Sequence, residues 1–118
     1  MCGIAGFWRP GDRAGCREDV LAAMTDTIVH RGPDGSGAHL DPGRGLAMGH
    51  RRLSIIDLET GDQPIHSPDG TVTFTGNGEF YDFKRIRAGL ACEGARFTTK
   101  SDSELAIPLY RKLGLGFV

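Results

Sequence analysis

The sequence predicts an α+β domain with a mostly antiparallel sheet. The order of the elements carries that reading, and the glycine content bears on how they are joined. The elements run strand, helix, several strands, helix, helix along the chain. Glycine supplies 18 of 118 residues, about 15% against a usual share of about 7%, without any period, so many tight turns or close backbone approaches are expected.

The elements follow in order. Cys2-Gly-Ile-Ala-Gly-Phe-Trp8 is short and apolar, and Arg9-Pro10-Gly11 closes it, which predicts a buried strand running into a turn. Over residues 17–29 the apolar positions Val20, Leu21, Met24 and Ile28 form the stripe of an amphipathic helix. It must stop before His30-Arg31-Gly32-Pro33-Asp34-Gly35-Ser36-Gly37, whose glycines and proline cannot continue it. Residues 45–50 and 53–58 are predicted strands, the second with Leu53, Ile55 and Ile56 apolar. Asp69-Gly70 signals a turn, and residues 71–75 alternate threonine with Val72 and Phe74 as a half-buried strand does. A helix is expected over about 82–90. Another begins near Ser101, where Ser101-Asp-Ser-Glu104 has the form of a capping box. Pro108 lies inside that helix, where it removes a backbone bond at a cost of about 3 kcal/mol, so a kink or local break is expected. Residues 113–118 read as loop, ending on two apolar residues. No internal repeat or linker composition divides the chain, which predicts one domain over 1–118.

Composition narrows the function. Hydrophobic residues make up 39% and charged residues 25%, the balance of a globular chain. Fourteen Lys+Arg against fifteen Asp+Glu give a net charge of −1, so no overall basic field recruits nucleic acid or an anionic membrane. No apolar run reaches the roughly 18 residues of a membrane span, and no charged-then-apolar leader opens the chain. Cys2, Cys16 and Cys92 are too few and too scattered for a disulfide framework or a zinc site, and a reducing cytoplasm is the expected compartment.

Cys2 is the residue with chemical promise. Methionine before a small residue is a usual substrate for initiator removal, which would leave Cys2 first. A terminal cysteine carries its nucleophile and a free α-amine together, and that amine, with a reference pKa near 7.7–8.0, accepts the thiol proton around neutrality. Position alone leaves a buried strand cysteine equally open. Cys16 and Cys92 are expected to be structural. His30, His39, His50 and His66 have neither metal-ligand spacing nor a consistent partner, so no metal site is predicted. Gly35-Ser-Gly37 and Gly43-Arg-Gly45 lack the full phosphate-loop pattern and are expected to be turns. Asn77-Gly78 by itself is the signature of a type I′ hairpin turn.

Six segments change the balance. Cys2-Gly-Ile-Ala-Gly-Phe, His30-Arg-Gly-Pro-Asp-Gly35, Arg52-Leu-Ser-Ile-Ile-Asp57, Gln63-Pro64, Asn77-Gly-Glu-Phe-Tyr81 and Ser101-Asp-Ser-Glu104 occur in that order. Together they resemble class II glutamine amidotransferases, the amino-terminal-nucleophile glutaminases. Within that group the chain looks most like the amino-terminal domain of glutamine-hydrolysing asparagine synthetase, over nearly its whole length. The His-Arg-Gly-Pro-Asp-Gly form separates it from glucosamine-6-phosphate synthases, which typically have Tyr-Arg-Gly-Tyr-Asp, and from amidophosphoribosyltransferases with His-Arg-Gly-Gln.

The resemblance implies roles where residues match. Cys2 corresponds to the nucleophile on the side-chain amide of glutamine. Asn77, through its side-chain NH₂, and Gly78, through its backbone N–H, correspond to the oxyanion hole, a donor type worth ~2.7–4 kcal/mol each. Arg52 corresponds to the arginine that grips the substrate α-carboxylate, a task suited to a planar fork. Arg51 stands where the family varies and is expected to be a solvated charge. Leu53 and Ile55 fall on a strand expected to offer backbone groups to the substrate. Asp102 corresponds to the carboxylate for the α-ammonium, with Glu79 lining the same pocket. Taken alone, Asp102 would only favour a helix N-terminus. His30-Arg31-Gly32 is expected to be architectural, with Arg31 bracing nearby carbonyls.

The implied fold is the amino-terminal-nucleophile (Ntn) hydrolase sandwich of four layers, α/β/β/α, cut short here on its carboxyl-terminal side. The implied reaction turns glutamine into glutamate and ammonia, and the ammonia passes to a carboxyl-terminal synthetase domain expected to lie beyond these 118 residues. There ATP and Mg²⁺ would activate a carboxylate, commonly aspartate; no cofactor is expected in the glutaminase domain itself. A homodimer is compatible with this. Asp82, Phe80 and Pro108 depart from the commonest family pattern, so a relative that amidates another carboxylate in secondary metabolism or envelope biosynthesis stays open. A non-catalytic remnant or interaction module with the same fold is the reading of another class. The joint presence of Cys2, Arg52, Asn77 and Asp102 favours the enzyme, whereas retention of Met1 would block the amine.

Overall fold

The computed structural model describes residues 1–55 and 60–118. It is a mixture of helix and antiparallel sheet, and its contacts divide into two compact units. Among the described residues no helix is long and apolar enough to cross a membrane.

The first unit comprises Met1–Ser54, Asp62–Pro64 and Thr75–Asn77. Strands β1 (Gly3–Trp8), β2 (Gly35–Asp41) and β3 (Leu46–Arg52) form an antiparallel sheet of order β1-β3-β2. In register, Ile4 and Gly37 flank His50, and Gly3 and Ser36 flank Arg51. Helix α1 (Glu18–Asp26) opens on two acidic residues, Glu18 and Asp19, which suit the positive helix end. It buries Leu21 and Thr25 against the β3 face that carries Ala47, Gly49 and Arg51. Close approach is possible because Gly49 has no side chain: a Cβ there would strike Thr25 Cγ2 and stand 3.2 Å from Leu21 Cδ1. Burial of a leucine such as Leu21 contributes about 1.5–3 kcal/mol.

The second unit comprises Ile55–Gly61, Ile65–Phe74 and Gly78–Val118. Strands β4 (Ile65–His66) and β5 (Thr73–Phe74) pair antiparallel around the Asp69-Gly70 turn. Asp69 ties that turn: Oδ1 accepts from the Ser67 hydroxyl (2.6 Å) and from the Thr71 N–H (3.1 Å) and hydroxyl (2.8 Å), and Arg111 donates to it as well. These bonds hold its carboxyl far below the usual range. Helices α2 (Phe83–Cys92) and α3 (Ala106–Leu113) follow, with a 3-10 turn at Asp102–Leu105 leading into α3 and another at Gly114–Phe117 after it. Among the described residues, Ile65, Leu90, Leu105, Ala106 and Ile107 are the buried apolar residues of this unit.

Several expectations are corrected. Val20 is exposed, and Thr25 takes the inward position with its hydroxyl donating to the Leu21 and Ala22 carbonyls. Gly35–Gly37 is strand, not turn: the segment pairs with β3, and a Cβ on Gly37 would strike the Gln63 carbonyl oxygen. No strand forms over 53–55, because the Leu53 and Ser54 N–H groups donate to the Cys2 and Asp34 side chains instead of a ladder; Ile56, Asp57 and Leu58 lie outside the described residues. The 71–75 strand shrinks to two residues, since Asp69 and the Ser67 hydroxyl take the N–H groups of Thr71 and Val72. The capping box closes on one side only: Ser101 Oγ accepts from the Ser103 N–H, while Glu104 turns to Thr98 and Thr99. A 3-10 turn, not loop, occupies Gly114–Phe117. The break expected near Pro108 is present as the change from 3-10 to α geometry at Ala106. It puts the proline in the first turn of α3, where no N–H is needed.

Candidate functional site

Cys2 stands one residue before β1, beside the end of β3. Its Sγ accepts the Leu53 N–H at 3.3 Å, and the Leu53 carbonyl lies 3.7 Å away as an acceptor for the thiol. Sulfur is thus held from both sides by the Leu53 backbone, which lies beyond the end of β3 and not on a strand. Ile55 belongs to the second unit, with its side chain exposed.

Strand parity separates the two arginines. Arg51 points to α1, where it donates to the Thr25 carbonyl (Nε, 3.3 Å) and to Asp26. It supplies the cation that the last turn of α1 lacks, and the expected solvated charge is instead a helix cap. Arg52 points to the other face and is buried, with Nη1 donating to Asp62 Oδ1 at 2.9 Å. His50 lies on that same face, fully buried. Burial pushes its imidazole below the ordinary range and Arg52 adds to this, while the Gly76 carbonyl and Asp62 oppose it.

The segment that closes β3 is braced by Asp34, whose N–H donates to the Arg52 carbonyl (3.0 Å) and whose Oδ2 accepts the Ser54 N–H (2.8 Å). The architectural parts of the His30–Gly35 motif are this aspartate and Gly32, where a Cβ would strike the Arg51–Arg52 peptide. Arg31 is exposed and, among the described residues, its guanidinium braces no carbonyl. Gln63, next to a cis bond to Pro64, is buried, and its Oε1 accepts the Gly76 N–H at 2.7 Å.

Asn77 ends the first unit, exposed, and its side-chain amide makes no hydrogen bond among the described residues. Gly78 and Glu79 open the next stretch of the second unit, also exposed, and no hairpin turn forms at Asn77-Gly78. Asp102, buried in that unit, accepts the Phe80 N–H on Oδ2 at 2.8 Å. The first unit thus groups Cys2, Arg52, Leu53 and Asn77, and the second holds Ile55, Gly78, Glu79 and Asp102. Sequence reasoning missed His50, Gln63 and Asp34 as individual contributors. The alternation along β3 was the one signal that could have put His50 on the Arg52 face.

Cys2, one residue before β1, and the buried Arg52, last residue of β3, thus stand at the same end of the first unit's antiparallel sheet. The chain belongs to the glutamine amidotransferase domain family, whose family model matches residues 1–118. It is 40% identical over 121 residues to asparagine synthetase [glutamine-hydrolyzing] 2 of Bacillus subtilis, covering all of this chain and 16% of that protein. It is 41% identical over 128 residues to amidase chry2 of Gibberella zeae, covering all of this chain and 19% of that protein. To asparagine synthetase [glutamine-hydrolyzing] of Sandersonia aurantiaca it is 37% identical over 118 residues, all of this chain and 22% of the relative. The chain spans about a fifth of the length of these curated relatives.

Proposed function

We propose that this domain is the glutaminase of a glutamine-dependent amide ligase of the asparagine synthetase type. Cys2, freed of Met1, gives its thiol proton to its own α-amine, and the sulfur attacks the side-chain amide carbon of glutamine. The resulting oxyanion is met by the Asn77 amide and the Gly78 N–H. The ammonium proton returns to the leaving nitrogen, ammonia departs, and a γ-glutamyl thioester is left. Water adds to the thioester, glutamate leaves, and the thiol is regenerated. By correspondence with the family, Arg52 takes the α-carboxylate and Asp102 the α-ammonium, and Glu79 and the backbone of Leu53 and Ile55 are assigned to glutamine as well. One fixed cation and one fixed anion select free glutamine over a peptide-bound residue.

The ammonia is consumed by a synthetase domain that amidates a carboxylate, aspartate in the leading case, in the cytoplasm. ATP and Mg²⁺ would serve that domain. Among the described residues no group of three or more His, Cys, Asp or Glu could hold a metal ion. For the domain as a whole we infer the four-layer α/β/β/α sandwich, supported by the helix-backed antiparallel sheet of the first unit.

The observation that carries the proposal is Cys2 Sγ seated on the Leu53 backbone next to the buried Arg52, in a chain matched end to end by the family model. A second acceptor stays in view because one relative, at 41% identity, is an amidase rather than an asparagine synthetase. The test is Cys2→Ala with intact-mass measurement of the amino terminus. Glutamine hydrolysis and glutamine-dependent amidation should vanish while amidation from added ammonia continues. Unchanged glutamine turnover, or a retained Met1 in active protein, would remove Cys2 from the mechanism.

A further inference from the structure

His50 is a buried titratable side chain that the proposed chemistry leaves unused. It is 1% exposed, on the Arg52 face of β3, between Ile4 of β1 and Gly37 of β2. Neither ring nitrogen has a hydrogen-bond partner among the described residues, and the other buried orphan of this kind, Thr75 Oγ1, sits on the residue before Gly76. A buried polar group left unpaired costs about 1–3 kcal/mol, so the vacancy calls for a reason. The groups acting on the ring are the Gly76 carbonyl, Arg52 and Asp62. Gly76 is held on its other side, where Gln63 Oε1 accepts its N–H at 2.7 Å. The Gly76 carbonyl and the Asn77 N–H share one rigid peptide plane, so whatever fixes that carbonyl also sets the direction from which Asn77 departs.

We propose that His50 is a positioning residue: its ring N–H closes on the Gly76 carbonyl in the glutamine complex and, with Gln63 on the Gly76 N–H, locks the peptide that carries Asn77. This rests on the assignment of Asn77 as an oxyanion donor. Hydrogen bonds that are long before substrate arrives commonly tighten in the complex, which accounts for the unpaired ring here. Because the oxyanion exists only after attack, the lock acts on turnover and not on capture.

The experiment uses the intact protein. His50→Phe should lower kcat for glutamine about tenfold to a hundredfold, the cost of a small misplacement, and leave KM within about twofold. His50→Gln, whose amide can donate to the same carbonyl, should recover most of the loss. In protein labelled with ¹⁵N-histidine, the His50 ring N–H should exchange slowly, and more slowly when glutamine is added to the Cys2→Ala variant. Equal kcat in wild type and His50→Phe, an equal loss in His50→Gln, or the absence of a protected ring N–H in both conditions overturns the proposal. The ring signal decides the hydrogen bond even in a protein that hydrolyses no glutamine, and that outcome would strike at the glutaminase assignment separately.

Discussion

Arg52 and Asp62 form a lopsided pair: their charged atoms meet at 2.9 Å, yet the arginine side chain is 8% exposed and the aspartate 80%. The exposed partner is screened by water and contributes little to stability, while the buried guanidinium is held as a planar fork on the His50 face of β3.

Asp62→Asn should therefore change stability by less than about 1 kcal/mol. Arg52→Lys should weaken glutamine capture by about 1.5–3 kcal/mol, because a point charge cannot reproduce bidentate contact with a carboxylate. Thermal melts and kcat/KM for glutamine measure both. Full catalytic efficiency in Arg52→Lys would mean that the α-carboxylate is bound elsewhere.

Asp102→Asn separates charge from fold. The amide keeps an oxygen for the Phe80 N–H, so the melting temperature should hold, while the loss of an anion should cut kcat/KM for glutamine by a factor of ten or more, about 1.4 kcal/mol. A lower melting temperature with unchanged kinetics would assign Asp102 to structure alone.

Gly37→Ala tests the close approach of two backbones. Its Cβ would strike the Gln63 carbonyl oxygen, which is main chain and cannot swing away. We expect a loss of about 1–3 kcal/mol, as for overpacking, read from a denaturant midpoint. Because Gln63 also holds Gly76, glutamine turnover should fall with it.

Glu104 gives the second unit an acid-sensitive knot. Burial works against its ionised form, but the Thr98 and Thr99 N–H and hydroxyl groups all donate to it and outweigh that, so its carboxyl lies below the ordinary 4.5. A carboxyl depressed by folding stabilises the native state fully above its unfolded value. That contribution is lost as pH falls below 4.5 and through the folded value. Glu104→Gln should lower stability at neutral pH and flatten the decline between about pH 5 and 3. A variant with the wild-type acid profile would show that the carboxylate contributes nothing there.

What the sequence disclosed follows from how local each cause is. The edges of α2 and β1 were legible to within two residues because periodicity and turn residues act within a few positions, whereas α1, expected over 17–29, ends at Asp26 and gives way to a 3-10 turn at Val29–Arg31. Gly35–Gly37 was misread as a turn because Gly37 answers to Gln63, more than twenty residues away. The 53–55 strand failed for a similar reason: Cys2 and Asp34, distant in the chain, claim the N–H groups that a strand would have used. Among site residues, Cys2 and Arg52 stood out by type and motif. His50 did not, since nothing local distinguishes a buried histidine from an exposed one.

The divergence of Arg51 and Arg52 makes β3 sensitive to parity. Neighbouring residues serve opposite sides of one sheet, one steadying a helix and the other pairing with Asp62. Insertion or deletion of a single residue in β3 ahead of Arg51 would carry one arginine into the other's place and leave one of the two positions without an arginine. β1 and β2, paired on either side, oppose such a slip. Length variation in this region should accordingly be confined to the turn over 42–45, where an added residue alters neither face.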